Sequence, residues 1–376
     1  MYGENERGIT HDVVIVGAGP AGSAAASTLA QAGMRTIVLD SKMEVGAPVI
    51  CGDLVNTGFP ELKELVEDPR FRLAKPESIE LKAGKASVHI YPSGAEGDAF
   101  NTVVERDRLD KELISSAVLA GAKLKIRAEA LEFSQDDASV TIRFRAGGKV
   151  SEVSAPYAII AKGNQGNGPK TAGTSSTEYS YHYGRFISGG AGTIPVINIG
   201  EQFSLDYLVP RGHGQFNRLM IRKAGETGKD TDKAQWHGKE IISGDTRAYL
   251  EEEPSPGSGR VLNAGSAAGF MDRFFMTGFR EAFISGKLAA KAILAITGDS
   301  GDALDHYTRS VKESLLPGIV QQIRLRKAMA NSDIRRIQEL FSRLSEFEFH
   351  EISVKEMTAK PGMAIEEIEG ILGNSD

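Results

Sequence analysis

Cysteine is almost absent from this chain: Cys51 is the only one among 376 residues. That excludes an internal disulfide framework, a multi-cysteine metal site and an iron–sulfur cluster, each of which needs several thiolates. The seven histidines show no H-x-x-x-H spacing, so no metal site is expected. No G-x-S-x-G turn follows a strand, which removes the serine-hydrolase elbow. No apolar run approaches the roughly 18 residues of a membrane-spanning helix. The opening MYGENERGITHD has no apolar core segment and does not read as a secretory signal. Positive charge is not in excess: 44 Lys and Arg face 50 Asp and Glu, a net charge of −6. A nucleic-acid binder would show a concentrated basic face, so no nucleic-acid partner is expected. No internal repeat and no low-complexity tract interrupts the chain. The expectation is a cytoplasmic protein built as one large α/β unit or as two or three intertwined domains.

Against these absences stands VVIVGAGPAGSAAASTLAQAGMRTIVLD, Val13 to Asp40. Four apolar β-formers run into Gly17-Ala18-Gly19-Pro20-Ala21-Gly22, a small-residue helical segment follows, and a second apolar run stops at Asp40. The pattern predicts strand, turn, helix and strand with glycines where a dinucleotide needs them. Gly17 permits the tight turn, Gly19 lets backbone approach a pyrophosphate, and Gly22 lets helix pack closely on strand. The helix presents free N–H groups and its positive dipole end to the phosphates. Asp40 ends the second strand where a carboxylate can accept hydrogen bonds from the ribose hydroxyls.

Residues 41–55 form a Gly/Pro-punctuated loop that carries Cys51, either a small buried residue or a functional thiol close to the cofactor turn. Residues 60–76 read as a short helix and linker, and 77–92 as two strands joined by a turn. From Val103, the stripe Leu109, Leu113, Ala117, Leu119 predicts a helix ended by Gly121. Arg106, just ahead of that helix, could reach phosphate or ribityl oxygens. Strands are expected at 124–126, 139–144, 150–153 and 158–160. From Tyr179 to Met220 the chain reads as a further sheet laid against the cofactor domain. Residues 223–259, with Trp236, are polar and weakly periodic and read as a loop or covering excursion. A short strand at Val261 and Leu262, a Gly/Ser/Ala turn, an exposed Phe274-Phe275-Met276 loop and a long helix from about Thr277 follow. The tail from Ala303 reads as helical, with Ile334, Ile337, Leu340, Phe341 and Leu344 on one face. Between Ala303 and Glu346 eight Lys and Arg stand against five Asp and Glu. Such a surface is an ordinary solvated helix face or a docking face for anionic lipid or a partner.

Several blocks in order resemble the geranylgeranyl reductase family, within the para-hydroxybenzoate hydroxylase-like flavoproteins. They are the GAGPAG turn with Asp40, the GAPVICGD loop, VVERDRLDKEL with Arg106, DYLVPRGHG at 206–214, AGSAAGF…TGF…AFISGKLAA and HEISVKEMTA at 350–359. The resemblance implies an α/β fold: a Rossmann-like FAD-binding domain with an inserted antiparallel β-sheet substrate domain and a C-terminal helical segment. Residues 10–76, 102–176 and 258–300 would make the discontinuous FAD-binding domain, 77–101 and 177–257 the substrate-facing β domain, and 301–376 the helical region. FAD is the implied cofactor. Its pyrophosphate would lie at Gly19, Ala21 and Gly22, its ribose at Asp40, its ribityl region near Arg106, and its adenine by the backbone of Ala130. Gly265 and Ser266, with Met276, Thr277 and Gly278, would border the ribityl chain and isoalloxazine. Leu205, Tyr207, Val209 and Pro210 occupy the family's aromatic substrate motif and would face a prenyl chain.

The chain departs from the family pattern at Ser266, usually Asp, at Lys162, also usually Asp, and through the 272–278 loop. The implied activity is saturation of C=C bonds on a prenyl-chain lipid, with Cys51 donating or relaying the proton. Because no second G-x-G-x-x-G is present, electrons would arrive through transient NAD(P)H or a ferredoxin-like protein. The basic tail or the Phe274–Met276 loop would make a peripheral contact at the cytoplasmic membrane face. Two other readings stay open: a flavin monooxygenase of the same class, and a non-catalytic lipid- or partner-binding relative that has lost FAD.

Overall fold

The computed structural model describes residues 11–56, 60–92, 101–164, 176–187, 192–225, 238–251, 253–296, 302–350 and 354–373. Its first layer is a six-stranded sheet with Val13–Val16 near the centre. That strand is buried along its whole length, as a parallel strand covered on both faces must be, which is why it reads as an unbroken apolar run. It pairs in parallel with Thr36–Leu39 on one side and Tyr157–Ile160 on the other. Val261–Asn263 and Lys123–Lys125 extend the parallel set, and the antiparallel Gly257–Ser258 ends it. Helix Pro20–Gln31 starts with proline at its first turn, where no intrahelical N–H is needed. Its alanines pack against helix Phe279–Ile296 in one core with Val13, Ile15 and Ile159. An antiparallel sheet of Ala128–Gln135, Val140–Ala146 and Lys149–Ala155 covers the other side.

The second layer is a seven-stranded sheet that draws on distant parts of the chain. Ile79–Ala83 and Ala86–Ile90 form one edge, and Lys239–Glu251, Ser176–Ile187, Gln215–Lys223, Leu205–Gly212 and Val196–Ile199 complete it. All pairings are antiparallel except Val196–Ile199 with Ile79–Ala83, which run parallel. Helices Leu316–Ala330, Ile334–Leu344 and Ile365–Leu372 cover one face of this sheet. The stripe Ile337, Leu340, Phe341 and Leu344 is wholly buried there, and Ile334 is partly buried. Asp333 caps that helix by accepting a hydrogen bond from Arg335 N, which satisfies one of the first-turn N–H groups that lack an intrahelical partner. A small fourth sheet, Leu54–Asn56, Asn101–Val104 and Arg72–Ala74, carries the cysteine loop at its margin.

Several expectations need correction. Residues 239–251 are not a covering loop but a 13-residue strand at the sheet edge. An edge strand needs only one neighbour and tolerates a polar face, so its pattern is weak. Trp236 lies outside the described residues. The Phe274-Phe275-Met276 loop is not exposed: its residues are 0%, 3% and 4% accessible. Phe274 packs at a tilt on Phe203, 4.7 Å between ring centres, and the loop is roofed by the C-terminal helices. Leu119 is 88% exposed, because it falls off the face shared by Leu109, Leu113 and Ala117. Arg106 does not precede its helix but opens it, in Arg106–Leu119. The long helix starts at Phe279, two residues past the expected Thr277.

Candidate active site

The site begins at the first βα turn. Gly17 has φ +104°, and a Cβ there would meet the Ala161 carbonyl. Gly22 sits under Gly17, so close that a Cβ would overlap the Gly17 carbonyl oxygen. These two positions admit only glycine, and they draw the helix end up to the strand. Gly19 caps the helix without a side-chain hydrogen bond, which leaves first-turn N–H groups for an anion. Asp40, nearly buried, braces the turn from the neighbouring strand. Its Oδ2 accepts from Ala18 N at 2.6 Å and its Oδ1 from Lys42 N at 2.8 Å. Each carboxylate oxygen keeps a second lone pair.

A cavity of about 300 Å³ runs from this turn to the seven-stranded sheet. Gly17, Gly19, Ala21 and Asp40 line one end. Cys51, Arg106, Gly265, Ser266, Met276, Thr277 and Gly278 line the middle. Tyr207 closes the far wall with Tyr181, Leu219 and Ala248. Gly22 underlies this cavity without bordering it. Ala130 also stands off it, in strand Ala128–Gln135, although that strand starts beside the turn, with Ala128 N donating to Asp40 O at 2.8 Å. Leu205 and Val209 share the inward face of their strand with Tyr207 but do not border the cavity; Pro210 alternates to the opposite face.

Titratable side chains of the cavity gather around Cys51. Its Sγ accepts a hydrogen bond from Arg106 Nη1 at 3.4 Å and from Asp53 N at 3.3 Å. Arg106 is itself fixed from several directions. Its Nε and Nη2 donate to the buried Asp110 one helical turn on, both at 3.1 Å. Its guanidinium lies 4.4 Å from the centre of the Phe279 ring. Burial pushes the Cys51 thiol up, against the pull of the Arg106 charge. The thiol is thus held protonated at neutral pH, in contact with a cation that steadies the thiolate if the proton leaves. Burial likewise raises the Asp110 carboxyl, with Arg106 opposing. Tyr207 donates its hydroxyl proton to the Phe275 carbonyl, and burial raises its phenol well above the usual range. It is a fixed polar edge on an otherwise apolar wall.

Sequence reasoning did not single out Lys42, Asp110, Tyr181, Thr246 or Ala248, all of which border the cavity. The Arg106–Asp110 spacing of four on one helix was a visible signal. Thr246 and Ala248 lie on the strand that read as a loop. Among the described residues no cluster of His, Cys, Asp and Glu could hold a metal ion.

The profile of the FAD binding domain family matches residues 10–216. The chain belongs to that family. FAD is accordingly its cofactor, and the glycine-only cradle at Gly17 and Gly22, with the uncapped helix start at Gly19, fits the pyrophosphate of that group. This FAD-binding protein is 26% identical over 335 residues to the digeranylgeranylglycerophospholipid reductase of Thermoplasma volcanium, covering 81% of this chain and 84% of that protein. The Picrophilus torridus protein of the same name is 23% identical over 403 residues, covering 97% and 100%. In fold it is similar to a geranylgeranyl bacteriochlorophyll reductase-like protein from Thermoplasma acidophilum, at TM-score 0.83, 21% identity, and 96% and 99% coverage. The myxobacterial chondrochloren halogenase shares the fold at TM-score 0.71 and 17% identity, covering 96% of this chain and 95% of that one.

Proposed function

We propose that the protein is an FAD-dependent reductase that saturates C=C bonds in the prenyl chain of an isoprenoid lipid. The observation that carries this reading is a protonated thiol, Cys51, placed on the cavity between the dinucleotide turn and an apolar sheet wall. An isolated C=C bond has no electron-withdrawing neighbour, so its saturation needs a hydride at one carbon and a proton at the other, with water excluded. Bound FAD, once reduced, supplies the hydride. Cys51 supplies the proton from Sγ, and Arg106 holds the sulfur at 3.4 Å and stabilises the thiolate left behind. Leu219, Ala248 and Met271 on the cavity wall exclude water and align the chain. Each buried CH₂ of substrate contributes about 0.8 kcal/mol to binding. Asp110 keeps the Arg106 side chain on the sulfur.

The lipid must reach this cavity from a bilayer. Among the described residues no helix is long and apolar enough to cross a membrane, and the Phe274–Met276 loop is buried. We assign that contact to the exposed basic side chains of the helices between Ala303 and Leu344. The electrons come from a transient NAD(P)H or a ferredoxin-like protein.

The test is anaerobic. The FAD-loaded protein is chemically reduced and mixed with a geranylgeranyl phospholipid, and flavin reoxidation and lipid mass are followed together. Reoxidation matched by a gain of one H₂ per double bond supports the reading. Flavin that stays reduced, with unchanged lipid, overturns it. Co-sedimentation with anionic liposomes tests the assigned membrane contact.

A further inference from the structure

Around Arg211 lies a buried charge network that borders the active cavity without entering it. Arg211 projects from strand Leu205–Gly212 of the seven-stranded sheet and is 4% exposed. Its Nη1 forms an ion pair with the Asp53 carboxylate. Its Nη2 lies 3.6 Å from Glu105 Oε1. Asp53 follows Cys51 by two residues, and Glu105 immediately precedes Arg106. One guanidinium from the substrate-facing sheet therefore touches both segments that carry the cysteine–arginine contact.

The two segments are also joined by backbone. Val104 N donates to Asp53 O at 2.9 Å, and Leu54 and Val103 are register partners. Asp53 adopts φ +64°, a left-handed conformation that a non-glycine residue keeps only when its surroundings impose it. The surroundings that impose it are the Arg211 pair, a 2.7 Å hydrogen bond from Asn217 Nδ2 to Asp53 Oδ2, and Arg185 at 3.6 Å. Asn217 Oδ1 accepts in turn from Arg185 Nε at 3.2 Å and from the Tyr183 hydroxyl at 3.3 Å. In that conformation the Asp53 N–H points back onto Cys51 Sγ.

We propose that Arg211 is a positioning residue that locks Cys51 against Arg106, by clamping Asp53 on one side and Glu105 on the other. It borders neither the cavity nor the thiol; its charge reaches the thiol through space and favours the thiolate, while its hold on the thiol's position acts through the two segments it pairs with. Burial lowers the Arg211 guanidinium to about 10, still charged at neutral pH, so the clamp persists over the working range. As to its consequence for turnover, the inference rests on the reductase reading. Its test does not.

Because Cys51 is the only cysteine, its titration can be read from the pH dependence of alkylation by iodoacetamide in the FAD-loaded protein, with no substrate present. Arg211→Lys keeps a buried cation for Asp53 and for the thiol but cannot fork to Glu105, so it isolates the clamp; Arg211→Met removes the clamp and the charge together. Both loosen the Arg106–Sγ contact, so both move the alkylation midpoint to higher pH. The rate at a fixed mildly alkaline pH falls, by about tenfold for a shift of one unit. If Arg211→Met does not fold, Arg211→Lys alone decides. A soluble, FAD-binding Arg211→Lys protein whose alkylation profile superimposes on the parent overturns the proposal, whatever the protein does with prenyl lipids. Where turnover is measurable, Arg211→Lys lowers kcat, and combining it with Cys51→Ala lowers kcat no further than Cys51→Ala alone. An additive loss would mean that Arg211 acts elsewhere and would also overturn it.

Discussion

Asp272 should make the folded protein lose stability as pH rises through neutrality. Its Oδ1 accepts from Phe274 N at 2.9 Å and Phe275 N at 2.6 Å, and its Oδ2 from Gln322 Nε2 at 3.0 Å. Burial pushes its carboxyl up to about 7, Glu281 adds to the rise, and the two backbone N–H groups with Arg280 oppose it. Arg280 is itself paired with Glu281 at 3.1 Å, which blunts its pull. The folded pKa lies above the unfolded value of 3.8, so the folded state holds the proton more tightly. The contribution is present in full below about pH 4 and is lost as pH climbs through about 7. A rise of about three units is worth at most roughly 4 kcal/mol. Asp272 is only half-buried, and water screening halves that to about 2 kcal/mol.

The perturbation is Asp272→Asn. The amide oxygen can still accept from Phe274 and Phe275, but its NH₂ would face the Gln322 NH₂. Turning the Gln322 amide over is not free, since Gln322 Oε1 already accepts from Arg273 N at 2.9 Å. The variant therefore loses one hydrogen bond, about 1 kcal/mol, and is less stable than the parent near pH 5. Near pH 8 the parent bears a costly buried anion and the variant does not, so the order reverses. Denaturant unfolding of both FAD-loaded proteins at the two pH values measures the crossing, and the variant-minus-parent difference cancels every other titrating group. A difference that stays constant from about pH 5 to pH 8 would falsify the argument.

Gly22→Ala should abolish FAD retention, because its Cβ would overlap the Gly17 carbonyl; flavin absorbance surviving desalting would contradict this. Cys51→Ala should keep FAD yet lower prenyl-lipid turnover by about 10²-fold or more, the range of a lost general acid, and undiminished turnover removes the proton-donor role. Phe341→Ala, at a wholly buried position under the seven-stranded sheet, should cost about 3–5 kcal/mol, read as a fall in unfolding midpoint, while mutation at the exposed Leu119 should leave that midpoint in place.

What could be read in the residues, and what could not, follows from the range of the interaction concerned. The first βαβ unit was legible because a strand buried on both faces must be apolar throughout, and because Gly17 and Gly22 answer to contacts made within the same turn. The helix 334–344 was legible by its 3.6-residue period, but which sheet it covers was not. Strand 239–251 escaped notice because an edge strand has one partner and an exposed side, and Ile241 and Ile242 are about half exposed, like the polar residues around them. The trio Phe274-Phe275-Met276 has no period, so its burial depends on a roof built by residues 50 or more positions later. The active site shows the same limit in its sharpest form. Cys51 and Arg106 each stood out in the sequence, yet their 3.4 Å contact spans 55 positions. Arg211 did not stand out, since an arginine after a proline is by default a surface residue. Only the fold turns it inward against two carboxylates. A buried charge with a partner removed costs about 3–5 kcal/mol, so the Arg211–Asp53 pair, both nearly buried, tolerates loss of either charge poorly. The thiol that borders the cavity is thereby tied to the sheet that shapes the cavity.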